Sequence, residues 1–143
     1  YDSKISNPYT KFLCNIAFET LEDAILTRNN EKLALGSLIS GLGFGNSSTT
    51  FGHALSYVYS NEGFSHGHAL AFTTQFAHNF NSSKYSKRFK KIVEEFQFEK
   101  IHLKQDLETA ALLILKDQKH LDNNPLPVSK NDILEILQKI NSL

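Results

Sequence analysis

The sequence predicts an all-α protein, a bundle of six or seven helices that forms a single domain over residues 1–143. Apolar residues recur at helical spacing in successive segments, and no segment alternates with period two as a strand does. No glycine-rich loop of the phosphate-binding kind is present, so a nucleotide-binding α/β domain is not expected within these residues. The chain is long enough to bury a core without disulfides or a structural metal.

Capping residues and apolar spacing mark where the helices begin. Asn7 or Ser6 can cap the first helix, which has a proline in its first turn, and Asn29 or Asn30 opens the second. Ser65 is a good cap for the fourth helix. A capping box of Ser129 and Asp132 opens the last helix. The predicted helices cover, in order, Pro8 to Ile25, Asn30 to Leu42, Phe51 to Val58, His66 to Phe80, Tyr85 to Phe96, Leu107 to Leu115 and a final segment through Ile133 to Ile140.

A stripe of small residues is expected on the second helix. Ser37, Gly41 and Gly45 recur at four-residue intervals. Small side chains let another backbone approach closely. We therefore expect another backbone to approach this stripe and the second helix to be central.

The composition excludes several classes of partner. The formal net charge is +0, so neither nucleic acid nor an anionic membrane is expected to bind. No apolar run approaches the ~20 residues of a membrane span, and no segment resembles a signal peptide. The lone Cys14 lies in an apolar helical pattern, which is typical of a buried, reduced thiol in a cytoplasmic protein. The chain contains no methionine and opens on Tyr1, so we expect a fragment of a longer polypeptide.

Two histidines on either side of a short turn form the candidate metal site. His53 lies in the third predicted helix, and His66 begins the fourth, thirteen residues later. If these helices fold back on each other, the two rings can meet. A helix N-terminus disfavours positive charge, so His66 is expected to be the neutral imidazole that zinc or ferrous iron binds. The alternative is that His53 is a core residue bonded to a carbonyl and that His66 is a surface residue beside a cap.

The other histidines are not expected to bind the metal. Residues two apart on a helix point in different directions, so His68 is expected near the mouth of the site at most. His78, His102 and His120 follow no partner pattern, and we predict solvated or core positions for them.

Segments along almost the whole chain resemble the iron-containing alcohol dehydrogenases. The two helices that precede the metal signature of this family are similar to SKISNPYTKFLCNIAFETL and LALGSLISGLGFGNSS. The signature itself resembles TTFGHALSYVYSNEGFSHG and FAHNFN, and the closing loop and last helix resemble DNNPLPVSKNDILEIL. The resemblance implies the helical C-terminal domain of a two-domain enzyme with the dehydroquinate synthase-like fold.

The resemblance also implies a metal and a cofactor. His53 and His66 would supply two of four protein ligands to a divalent metal, Fe²⁺ or Zn²⁺. An Asp and a His located before Tyr1 would supply the other two. The N-terminal domain of the family would bring NAD or NADP, and the substrate would be a small alcohol or aldehyde.

Some residues depart from the family pattern. Ser65 stands where a proline usually precedes the second histidine, and Leu70 stands where many members carry Asn. Tyr57 stands where members commonly have a histidine that is linked to proton relay. It is either a hydrogen-bond donor near the metal or an aromatic core residue. Neighbours of the motif are candidates to line the substrate pocket, namely Phe51, Phe64 and His68.

The sequence is compatible with three functions. The first is a metal-dependent NAD(P) alcohol dehydrogenase, in which this chain alone is inactive because half of the metal site and the cofactor site are missing. The second is a dehydroquinate synthase-like lyase, since the FGHA and HGHA motifs and the thirteen-residue spacing are similar to those enzymes. Against it, His68 stands where the synthases carry Glu. The third is a non-catalytic helical interaction module. Each of the three functions is compatible with a homodimer.

Overall fold

Eight helices and no strand make up the structure, a computed structural model that describes residues 1–143. The prediction of an all-α fold is confirmed. None of the helices has both the length and the apolar character that crossing a membrane requires. One helix was not predicted, because a segment of five residues is too short to show an apolar period. The helices are α1 (Pro8–Thr27), α2 (Asn30–Gly45), α3 (Phe51–Ser60), α4 (His66–Phe80), α5 (Ser86–Phe96), α6 (Leu107–Leu115), α7 (Gln118–Asp122) and α8 (Lys130–Asn141).

Several predicted caps are present at the helix starts. The side chains of Asn7, Asn29 and Ser65 accept backbone N–H groups at the starts of α1, α2 and α4. Ser129 and Asp132 form the predicted capping box of α8. Each cap satisfies a backbone donor that the helix itself leaves unpaired. The starts of these helices are therefore consequences of the local sequence.

The chain divides into two compact units, of which the first is Tyr1–Thr49. This unit is the antiparallel pair of α1 and α2. Small residues seven apart line the contact on both helices, which lets the two backbones approach closely. The buried small residues are Thr10, Ala17 and Ala24 on α1 and Gly36 and Gly43 on α2.

Helix α1 approaches α2 closely at Gly36 and Gly43, and not at the predicted stripe of small residues. A Cβ atom on Gly36 would lie 2.8 Å from Leu21 Cγ, whereas Gly41 and Gly45 have nothing within 4 Å. Helix α2 is also not central, because α1 is the one other helix of its unit. Both predictions were wrong because the spacing of small residues shows that a stripe is bare. It does not show which stripe a neighbouring helix covers.

The second unit, Thr50–Leu143, is built around α3. Helices α4, α6 and α7 contact α3, and α8 packs on α6 and α4. Phe51 and Leu55 on α3 are fully buried, as expected of a helix with neighbours on several sides. His53 is half-buried and Tyr57 is exposed, so these two residues occupy the open face of α3.

A reciprocal amide pair ties the loop after α7 to the end of α4. Asn124 Nδ2 donates to Asn81 Oδ1, and Asn81 Nδ2 donates to Asn124 Oδ1, both at 2.8 Å. Asn124 is fully buried and also donates to the carbonyl of Leu126. The pair joins the FAHNFN segment to the DNNPLP segment. Because α7 directly precedes this loop, the pair holds α7 in place beside α3.

We expect Asn124→Ala to lower the free energy of unfolding by about 2 kcal/mol, because it leaves the part-buried amide of Asn81 without its partner. Urea denaturation measures this change. The matched control is Asn79→Ala, at an exposed position on α4, which should change the free energy of unfolding by less than about 0.5 kcal/mol. Equal losses in the two variants would contradict a specific role for the amide pair.

Candidate metal centre

The turn between α3 and α4 is held in place by its own residues. Gly63 has a φ of 100°, a conformation that glycine adopts without strain. The two carboxylate oxygens of Glu62 accept the backbone N–H groups of Lys104 and Gln105 at 2.8 and 3.0 Å. The turn is therefore anchored to the segment that precedes α6.

Gly52 sets the distance between α3 and α4. A Cβ atom at this position would lie 3.2 Å from Thr74 Cα on α4, so a larger residue would need the α4 backbone to give by a few tenths of an ångström. The hydroxyl of Thr73 donates to the Gly52 carbonyl at 2.9 Å. His53 follows Gly52 directly, and its backbone position is therefore fixed against α4.

The rings of His53 and His66 lie side by side. Their centroids are 5.4 Å apart and their planes are inclined by 64°. With metal–nitrogen bonds of about 2.1 Å, two imidazoles on one tetrahedral ion have centroids about 5 Å apart. The separation of the two rings therefore fits one shared ion.

Ser56 orients the ring of His66. The Ser56 hydroxyl donates to the His53 carbonyl at 2.8 Å, so its oxygen accepts from His66 Nδ1, which lies 3.4 Å away. Nε2 of His66 then carries the lone pair that a metal ion requires. The ring of Tyr57 stacks on His66 with centroids 5.6 Å apart and planes inclined by 10°.

His53 is neutral at pH 7. Burial, followed by the nearby rings of His66 and His120, lowers the pKa of His53 from its ordinary 6.5 to about 4, while Asp117 acts in the opposite direction. Neither ring nitrogen has a hydrogen-bond partner, and neither is enclosed by protein atoms. A neutral imidazole with a free lone pair is the form that binds a divalent metal.

A third imidazole, which the sequence did not reveal, adjoins the pair. His120 on α7 is 7% exposed, and its ring stacks on His53 with centroids 5.9 Å apart. Its ring also contacts the ring of Tyr57, with centroids 5.7 Å apart. Both carboxylate oxygens of Asp117 lie 2.7 Å from His120 Nδ1. The sequence signal that could have found this residue is an Asp three positions before a His at a helix start, immediately before the DNNPLP loop.

Comparison with known proteins identifies the family of the chain. A family model described as Fe-containing alcohol dehydrogenase family, C-terminal, matches residues 1–104, which is more than half of the chain. The chain belongs to the Fe-containing alcohol dehydrogenase family. The resemblance inferred from the sequence motifs is therefore confirmed. No curated protein sequence matches the chain.

Two solved structures share the fold of this Fe-containing alcohol dehydrogenase domain. One is an iron-containing alcohol dehydrogenase from Thermotoga maritima, with 20% sequence identity and a TM-score of 0.81. The other is an iron-containing alcohol dehydrogenase with 20% identity and a TM-score of 0.82. Each match covers 100% of this chain and 45% of the other chain. The chain thus spans less than half the length of these relatives.

Two of the predicted site residues have different surroundings in the domain. Tyr57 is 41% exposed and contacts the rings of both His66 and His120. Phe51 is fully buried, and its ring packs against Phe80 with centroids 5.4 Å apart. Tyr57 therefore borders the histidines, whereas Phe51 contributes to the core behind them.

The other two predicted pocket residues contact each other. The rings of Phe64 and His68 have centroids 6.0 Å apart. His68 Nε2 lies 2.5 Å from the carbonyl oxygen of Glu99, and the ring also contacts Phe98. None of the ring contacts of His68 is with His66.

The family domain presents two metal-ligand candidates that fit one ion. No group of three or more His, Cys, Asp or Glu side chains in the chain is arranged to hold a metal. His53 and His66 therefore stand as a pair, with His120 beside them. Two nitrogen donors leave at least two positions of a tetrahedral ion to other ligands.

The low pKa of His53 predicts a loss of stability in acid. Its pKa in the folded protein, about 4, lies below the ordinary value, so the unfolded state takes up the proton first. The stabilising contribution is fully present above pH 6.5 and is lost as the pH falls from about 6.5 toward about 4. We expect His53→Gln to reduce the difference between the free energies of unfolding at about pH 7.5 and about pH 5.

Urea denaturation at the two pH values measures this difference, with no metal added. The matched control is His102→Gln, at an exposed position, which should keep the pH dependence of the wild-type chain. If His53→Gln behaves like the control, the acid sensitivity of the fold comes from another group.

Proposed function

We propose that this chain is the metal-binding part of an NAD(P)-dependent alcohol dehydrogenase that interconverts a small alcohol and its aldehyde. The observation that carries the proposal is the pair of His53 and His66, whose rings lie 5.4 Å apart with ring nitrogens available to an ion. Membership in the Fe-containing alcohol dehydrogenase family supports the same chemistry.

The residues of the chain would hold the ion and fix its position. His53 and His66 would each give one ring nitrogen to Fe²⁺ or Zn²⁺. When bound, the metal polarises a carbonyl oxygen as a Lewis acid, while a nicotinamide exchanges hydride with the carbon. Ser56 sets the tautomer of His66, and the contact at Gly52 sets the backbone of His53. The two lone pairs are thereby presented at a constant separation.

We further propose that the remaining ligands, an Asp and a His, and the nucleotide-binding domain lie outside residues 1–143. Three observations support this: no third ligand joins the histidine pair, no strand is present, and the chain covers 45% of the length of similar structures. The chain alone would then bind metal weakly and transfer no hydride. A cytoplasmic location belongs to the same proposal and rests on the lone Cys14, which has no second cysteine to pair with.

The proposal predicts that His53→Ala and His66→Ala each weaken Zn²⁺ binding by about 100-fold or more. Even the loss of a group that only hydrogen-bonds a metal ligand lowers metal affinity about 10–100-fold. Isothermal titration of the chain with Zn²⁺ measures the affinity. His102→Ala, which removes an exposed imidazole, should bind Zn²⁺ as the wild type does. Equal affinities in all four proteins would exclude the pair as a metal site.

A second prediction concerns the reaction. A polypeptide that contains this chain together with a nucleotide-binding domain should oxidise NADH or NADPH in the presence of small aldehydes, and His53→Ala should abolish this turnover. The loss of nicotinamide absorbance measures it, and His102→Ala is again the control. Bound metal without aldehyde reduction would favour the dehydroquinate synthase-like alternative.

A further inference from the structure

A carboxylate–imidazole pair on α7 lies beside the two metal-ligand candidates. Asp117 caps α7 and holds the ring of His120, with both of its oxygens 2.7 Å from Nδ1. Because carboxylate oxygens only accept, Nδ1 of His120 carries the hydrogen. Nε2 is the nitrogen without a hydrogen in the tautomer that this contact favours.

The acceptor nitrogen of His120 has no partner in the protein. The residue is more than nine-tenths buried, at 7% exposure. No side chain or backbone group donates to Nε2, and the atom is not enclosed by protein atoms. Nε2 is thus the accessible end of a side chain that is otherwise buried, and its lone pair has no donor in the protein. The free Nε2 therefore points to a ligand that brings a hydrogen.

His120 stands next to the metal pair rather than within it. Its ring is nearly parallel to that of His53, at 16°, whereas the ring of His66 is inclined to His53 by 64°. No three such side chains are arranged around one ion. Tyr57 contacts both His66 and His120, so the three imidazoles and Tyr57 form one cluster. His120 therefore adjoins the pair without joining it.

We propose that Nε2 of His120 accepts a hydrogen bond from the hydroxyl group of a small alcohol whose oxygen is held at the ion of His53 and His66. This inference rests on the proposed function. Asp117 acts through His120 and is a positioning residue, because it keeps the ring in the tautomer that accepts. An alcohol oxygen can bind a metal and still donate its hydrogen, whereas an ether or aldehyde oxygen has no hydrogen to donate. The site therefore selects hydroxyl compounds.

Binding of 1-butanol and of its isomer diethyl ether to the Co²⁺-loaded chain tests this inference. Bound Co²⁺ is paramagnetic and shortens the relaxation times of protons on a nearby ligand, so weak binding of either compound is measurable by NMR. We expect the wild type to bind 1-butanol more tightly than diethyl ether. His120→Leu should weaken 1-butanol binding about tenfold, the range of one hydrogen bond, and leave the affinities for Co²⁺ and diethyl ether unchanged.

Three further variants separate a hydrogen bond from a structural role. His120→Gln keeps an acceptor oxygen and should retain part of the preference for 1-butanol, and it also serves if His120→Leu fails to fold. Asp117→Ala removes the carboxylate that holds the His120 ring and should reduce the preference for 1-butanol over diethyl ether. His102→Leu, at an exposed position, is the control for the loss of an imidazole and should bind both compounds as the wild type does.

Each outcome of these binding measurements either supports or overturns the hydrogen-bonding role of His120. Loss of the preference in His120→Leu with Co²⁺ affinity intact supports it. An unchanged preference overturns it, and the bound Co²⁺ then leaves the proposed function standing. A loss of Co²⁺ affinity in His120→Leu makes His120 a metal ligand and overturns the hydrogen-bonding role. A wild-type chain that binds no Co²⁺ overturns both this inference and the proposed metal site.

Discussion

The close contact of α3 with α4 at Gly52 is the constraint on which the candidate metal centre depends. A Cβ atom there would meet the backbone of Thr74 at 3.2 Å, and the Thr73 hydroxyl bonds the Gly52 carbonyl. Both contacts fix the start of α3 one residue before His53. The distance between the rings of His53 and His66 follows from this contact and from the turn, because the helices that carry the two residues are rigid. A larger residue at Gly52 would need the backbone of α4 to give by a few tenths of an ångström, and this shift would change the distance between the two lone pairs.

The electrostatics of the site follow from the same packing. Burial disfavours a charged ring, and repulsion among the three adjacent imidazoles disfavours it further. Both effects lower the pKa of His53, so its ring is ready to bind a cation without first losing a proton. The arrangement that suits a metal is therefore also the arrangement that loses stability in acid. Asp117 offsets part of this effect and is bonded to His120.

Contacts distant in sequence complete the site. The amide pair of Asn81 and Asn124 connects α4 to the loop after α7, and Glu62 connects the α3–α4 turn to the segment before α6. Both contacts use side chains to satisfy polar groups on another segment. Through the first of them, His120 lies against His53 although 67 positions separate them in the sequence. The segments that carry the family resemblance are thus joined by direct hydrogen bonds.

The sequence by itself determined the helical class, most helix starts and the pairing of His53 with His66. These features are local, since caps act within one turn and a hairpin joins residues across a short loop. Only the tertiary structure decided that α2 meets its neighbour at Gly36 and that His120 joins the two histidines. Both depend on which faces of distant helices meet, and that choice is made by the packing of the whole core rather than by the spacing of residues along one segment.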